Sequence, residues 1–119
     1  MGVVLMPKNG AEGFDASFWA WRPLVNLLQE APGVGLGTDW FLAEVREEQA
    51  ARMADFLDGF LQGQGAEWRL LLDGSVTDVP DTGEFYRDPA DAHKNYSASR
   101  QWLADFRDFC RRSGGFNIY

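Results

Sequence analysis

The last quarter of the chain, SASRQWLADFRDFCRRSGGFNIY (residues 97–119), leaves little freedom in how it folds. Ser97 is a residue type whose hydroxyl accepts from an orphan backbone N–H at a helix start. Trp102, Leu103, Phe106, Phe109 and Cys110 recur at spacings of three, four and seven, one face of a 3.6-residue helix. Gln101, Asp105, Asp108 and Arg112 fall largely on the other face. Arg107, Arg111 and Arg112 crowd the C-terminal turns, where cations meet the negative end of the helix dipole. Gly114 provides the left-handed residue that ends a helix at little cost. Phe116 and Ile118 then alternate with Asn117 and Tyr119, a short strand. The segment therefore predicts a capped helix over 97–112, a glycine stop, and a strand reversing onto the helix's own apolar face.

Upstream, Val3 to Met6 suggests a short strand stopped by Pro7, and residues 8–15 (KNGAEGFD) a loop. Pro23 suits the first position of a helix, where its missing N–H costs nothing. Leu24, Val25, Leu27 and Leu28 carry that helix to about residue 30, and Pro32 with Gly33, Gly35 and Gly37 ends it. Residues 40–45 fit either a strand or an early start of the next helix. From Glu47 the pattern is clear. Ala50, Met53, Ala54, Leu57, Phe60 and Leu61 share a face, Glu47 and Glu48 occupy the favourable first turn, and Gly63 and Gly65 stop the helix near residue 62. Trp68 to Leu72 reads as a strand, Asp73-Gly74 as a turn, and Ser75 to Val79 as its hairpin return. Residues 80–95 read as loop, longer than most loops in compact domains. The expectation is an α+β fold: helices near 23–30, 47–62 and 97–112 on a small antiparallel sheet, in one domain spanning 1–119, with an acidic loop at 73–95.

A hydrophobic fraction of 45%, with five Trp and nine Phe, is enough to build a core at this length. Eighteen acids against eleven bases leave a net charge of −7. That argues against nucleic acid and anionic membranes as partners, because both require a basic face. One cysteine cannot form an internal disulfide or a thiolate metal cluster, and fits a reducing compartment. The N-terminus lacks the basic start and long apolar core of a signal peptide, and no run is long enough to cross a bilayer. These features predict a soluble cytoplasmic protein.

The acidic loop is the first candidate site. Between residues 73 and 91, Asp73, Asp78, Asp81, Glu84, Asp88 and Asp91 stand against Arg87 alone, a net −5 within the chain's −7. A patch of one sign steers a basic protein partner into register; a merely solvated loop has the same composition. Asp73, Ser75, Thr77, Asp81 and Glu84 also fall at positions 1, 3, 5, 9 and 12 of a twelve-residue calcium loop. Asp78 stands where that loop needs glycine and Pro80 where it needs an N–H, so no metal is expected. His93, the only histidine, has Asp91 nearby but no nucleophile at a recognisable spacing. Cys110 belongs to an apolar helix face, where cysteine serves as a small hydrophobe. Trp19, Trp21 and Trp40 could line a ligand pocket, since indoles offer broad flat surfaces with one donor, or build the core. Gly33-x-Gly35-x-Gly37 follows a helix and precedes no Lys-Ser/Thr, so it is not a phosphate loop. No catalytic residue and no cofactor are expected.

The ending Phe106-x-x-Phe109-Cys110-x-x-Ser113-Gly114-Gly115-Phe116-x-Ile118 resembles that of a scattered group of small bacterial proteins of unassigned function. Some of these also carry an aromatic-x-Trp-Arg-Pro segment, matched here by Trp19, Trp21, Arg22 and Pro23. The resemblance covers about a quarter of the chain. It implies a bacterial cytoplasmic protein with a shared helix-to-strand ending, and carries over no site residue. Two functional expectations follow. One is a non-enzymatic binding protein presenting its acidic surface to a basic partner, with an immunity-type inhibitor as its concrete form. The other is a small ligand-binding or enzymatic domain with a Trp-lined pocket.

Overall fold

The computed structural model describes residues 2–31, 44–63, 65 and 67–119. The glycine-rich stretch 33–37, Trp40 and most of the segment expected as a strand or early helix over 40–45 lie outside the described residues. The elements in order are β1 (Gly2–Pro7), β2 (Phe14–Ser17), α1 (Phe18–Leu28), β3 (Glu44–Val45), α2 (Glu47–Gln62), β4 (Arg69–Leu71), β5 (Val76–Thr77), a 3-10 turn (Ala92–Asn95), β6 (Ser97–Ser99), α3 (Arg100–Ser113) and β7 (Phe116–Ile118). They form an α+β fold with three helices and two antiparallel sheets where one was expected. The first sheet runs β2-β1-β7-β3, the second β5-β4-β6.

The terminal helix begins three residues later than its first serine suggests. Ser97, Ala98 and Ser99 pair with Leu71, Leu70 and Arg69 as strand β6, and buried Ala98 faces the core. The cap is Ser99, whose Oγ accepts from Trp102 N at 3.1 Å. Both serines satisfy the local cap pattern, and burial of Ala98 beside Leu70 decides between them. Leu103, Phe106, Phe109 and Cys110 form the buried face of α3 as expected. Gly114 closes the helix at φ 68°. Buried Ser113 completes the stop, donating to Cys110 O at 3.1 Å and accepting from Gly115 N at 3.2 Å. The chain then reverses, placing Phe116 5.2 Å from Phe109 and 6.2 Å from Phe106 between ring centres.

Helix α1 also departs from the sequence expectation. It starts at Phe18, not at Pro23, and Pro23 is buried inside it. Proline there forfeits the hydrogen bond to the carbonyl four residues earlier, that of Trp19. Burial of Trp21, Pro23 and Leu24 offsets that loss. Phe14 and Asp15, expected as the end of a loop, begin an edge strand, Phe14–Ser17, paired with β1. Helix α2 spans Glu47–Gln62 as its pattern predicts, with Gln49 Oε1 accepting from Arg46 N at 2.9 Å.

Phe106 is fully buried and joins these parts. Its ring lies 5.9 Å from Phe14 on β2, 6.1 Å from Trp21 on α1, 6.1 Å from Trp102 and 6.2 Å from Phe116 on β7. On the outer side of the helix pair, Arg107 reaches Asp58 of α2 at 3.0 Å and Arg111 bridges Asp55 and Asp58. These two arginines, expected to complement the helix dipole, serve the α2–α3 contact.

Gly115 is the tightest point of the turn. Its φ is 97°, and a Cβ there would stand 2.8 Å from Val45 O and 2.9 Å from Glu47 N. Both obstacles are backbone. At Gly114 the nearest atom would be 3.5 Å away, on the Asn9 side chain. Gly114→Ala should therefore cost only the left-handed penalty, about 1 kcal/mol, and Gly115→Ala about 3 kcal/mol. Denaturant midpoints of the two variants check this, and equal losses would remove the close approach as the cause.

Candidate functional site

Residues 73–95 form a layer over one face of the second sheet, and side-chain bonds to backbone shape it. Strand alternation puts Leu70 into the core and turns Arg69 and Leu71 outward, with Thr77 and Ser99 paired to Arg69. The hairpin at Asp73-Gly74 returns through β5 as expected, with Gly74 at φ 90°. The rest of the loop closes on itself at Asn95. Asn95 Oδ1 accepts from Tyr86 N at 2.7 Å and its Nδ2 donates to Tyr86 O at 2.8 Å. Lys94 pairs with Asp91 at 3.1 Å and stands over the Tyr86 ring. An aromatic set fastens the loop to α1: Phe85 lies 5.6 Å and Tyr96 4.8 Å from Trp19, with the Arg22 guanidinium 5.3 Å from the Tyr96 ring.

The six acids serve two purposes. Asp73, Asp81 and Asp88 each accept a hydrogen bond from the backbone N–H two residues on, at 2.9, 2.9 and 3.0 Å. These are Asx-turns, and they bend the loop three times. Asp91 is half-buried and committed to Lys94. Asp78 and Glu84 are exposed, and among the described residues neither has a hydrogen bond or ion pair. Two large apolar side chains emerge next to them in sequence, Val79 at 58% and Phe85 at 57% exposure.

Between this layer and the sheet lies a cavity of about 680 Å³, floored by Leu71, Leu72 and Val79 and walled by Asp73, Asp81, Tyr86, His93 and Lys94, with Arg69 at its base. A second cavity, about 460 Å³, shares Arg69, Thr77 and Val79 and runs on to Trp68 and Arg100. Sequence reasoning missed Arg69, Asn95 and the Trp19–Phe85–Tyr96 set. The only local hint was an Asx residue at the end of the loop; the others meet across the fold.

Trp19 and Trp21, the two of the three candidate tryptophans among the described residues, point to different surroundings. Trp21 is 1% exposed, against Phe106 in the core, whereas Trp19 is 42% exposed beside the acidic loop. Two residues apart on a helix, they face opposite ways. Trp40 lies outside the described residues. Cys110 is fully buried, and burial pushes its thiol far above the usual cysteine range, so no thiolate is available at neutral pH. His93 is exposed on the cavity rim. Among the described residues, no three His, Cys, Asp or Glu side chains gather as a metal site. The acids that aligned with a calcium loop diverge: Asp73 turns onto Ser75 and Asp81 onto Gly83. No helix of the described residues is long and apolar enough to cross a membrane.

Comparison with family models, with curated proteins and with solved structures returned no match. The chemistry of the site therefore rests on its own geometry.

Two outcomes follow. Asn95→Ala removes both bonds to the Tyr86 backbone, at a cost of about 2 kcal/mol. Amide exchange at Tyr86 should accelerate strongly while that of β1 and β7 stays unchanged. Unaltered protection at Tyr86 would show that other contacts hold the loop. The second concerns acid. The hydroxyl and backbone N–H of Ser75 hold the Asp73 carboxyl below the usual carboxylate range. A lowered folded-state pKa means that this turn's contribution is present above the ordinary Asp value and lost as pH falls through the lowered one. The Ser75 amide shift should titrate below about pH 3.9, and Ser75→Ala should raise that midpoint.

Proposed function

We propose that this chain is a non-enzymatic binding protein of the bacterial cytoplasm whose 73–95 layer docks a basic protein partner. The concrete form of the reading is an immunity-type inhibitor, which neutralises a cationic toxin by covering it. One observation carries it: exposed Val79 and Phe85 stand next to the uncommitted carboxylates of Asp78 and Glu84 on a layer fastened to the fold. Apolar anchors beside a charged rim are the usual anatomy of a protein interface, in which a few large side chains supply most of the affinity. The charge supplies rate and register. With net −5 between residues 73 and 91, a basic surface is attracted before contact. Anchoring the loop through Asn95, Tyr96 and Trp19 lowers the ordering cost at docking.

The expected result is recovery of a stoichiometric basic partner from native lysate. With that partner in hand, Asp78→Lys with Glu84→Lys should slow association at least about tenfold at low salt, with the difference shrinking as salt rises. Phe85→Ala should act mainly on dissociation. An association rate insensitive to the double reversal would exclude the loop as the docking surface.

A further inference from the structure

The cavity beneath the loop is lined by a cation that no carboxylate among the described residues pairs with. Arg69 sits on the central strand of the second sheet, with Thr77 and Ser99 paired on either side. Its Nε donates to the carbonyl of Val79 at 2.9 Å, which orients the guanidinium at the base of the cavity. Its terminal amino groups have no carboxylate within ion-pair distance among the described residues. This holds although Asp73 and Asp81 line the same cavity, in a chain with a net charge of −7. Those two carboxylates accept hydrogen bonds from Ser75 and Gly83, and Lys94 is held by Asp91. The result is a planar double donor, held at Nε, that lines this cavity and the one beside it.

That space has the size and character of a small-molecule site. At about 680 Å³ it falls within the range of about 300–1,000 Å³ typical of such sites. Leu71, Leu72, Val79 and Pro80 provide an apolar floor, and Tyr86 closes one wall. We infer that this cavity binds a small monocarboxylate with an apolar body, its carboxylate on the Arg69 guanidinium and its body over Leu71, Leu72 and Val79. The guanidinium fork matches a planar carboxylate in a way a point charge does not. A dianion such as a phosphate monoester is disfavoured, because the second negative charge would face Asp73 and Asp81. The apolar floor contributes in proportion to the ligand surface it removes from water. This inference stands apart from partner docking and does not need a partner to be present.

The test uses the unaltered full chain, titrated by calorimetry and amide NMR with 3-phenylpropionate and with octanoate. The corresponding amides, identical in body and neutral in head, are the controls. The expected result is saturable binding below about 1 mM for at least one acid, and binding of its amide at least about tenfold weaker. Shift changes should centre on Leu71, Thr77, Val79 and Tyr86. Arg69→Gln should abolish the preference for acid over amide, and Arg69→Lys should keep part of it. The inference is overturned if neither acid saturates, if amides bind as well as acids, or if the shifts map elsewhere. The comparison of acid with amide decides the matter even where Arg69→Gln does not fold. Since no partner enters these measurements, their failure would leave the docking surface standing, and failure to recover a partner would leave the cavity standing.

Discussion

The contact on which this fold depends is the packing around Phe106. A single fully buried ring meets aromatic side chains from β2, α1, its own helix and β7. Those elements come from both ends of the chain, so Phe106 closes the longest loops the backbone must form. Aromatic pairs at these separations add to the area they bury, and the cavity left by removing one large ring is not readily refilled. Everything outside this centre is arranged at a distance from it. Helices α2 and α3 meet through Met53, Leu57 and Leu103 inside and through Asp58 with its two arginines outside. Helix α1 turns Trp21 toward Phe106 and Trp19 toward the loop, and so connects the core to the candidate site.

The second sheet is small, and its stability relies on its neighbours. Leu70 and Ala98 pair across β4 and β6 and are both fully buried. Arg100 N donates to Trp68 O at 3.1 Å, tying the start of α3 to the start of β4. Asn26 of α1 donates to Leu72 O at 3.0 Å at the other end. The sheet's outer face is thus a fixed platform, and the loop above it can be built from polar residues without a core of its own. Local side-chain bonds replace one. Two Asx-turns, the Asn95 clamp and the Trp19 contacts hold a stretch that has only one short 3-10 turn between β5 and β6.

What could be read from the sequence were the features decided within a few residues. Helix α2 has the bounds its pattern predicts, because acids at its start and Gly63 at its end are local signals. The Gly114 stop and strand β7 were legible for the same reason. What failed was decided by distant partners. Ser97 looks like a cap until Ala98 pairs with Leu70, and Phe14 and Asp15 look like loop until they lie beside β1. Pro23 marks a helix start only if nothing upstream packs, and Trp21 does. The same division runs through the site. The acids could be found by composition, but not their commitments, which depend on which backbone N–H each one meets. Arg69 lay within an apolar strand run and acquires its meaning only from Val79, ten residues on.

Those commitments determine how the acidic surface can be dissected. Asp73, Asp81 and Asp88 each carry a charge and a bend, so replacing any of them alters the shape of the loop together with its field. Asp78 and Glu84 carry charge alone. They flank the residues that emerge from the layer, Val79 and Phe85, and reversing them changes the electrostatic field while the turns persist. Val79 itself contributes by different atoms to both surfaces. Its carbonyl holds Arg69 beneath the loop, and its side chain is exposed above. A side-chain change there acts on the outer surface and on the cavity lining, and leaves the hydrogen bond to Arg69 in place, because that bond is made by the backbone. Phe85, exposed on the layer and outside the lining of both cavities, is the apolar position that separates the outer surface from the space beneath.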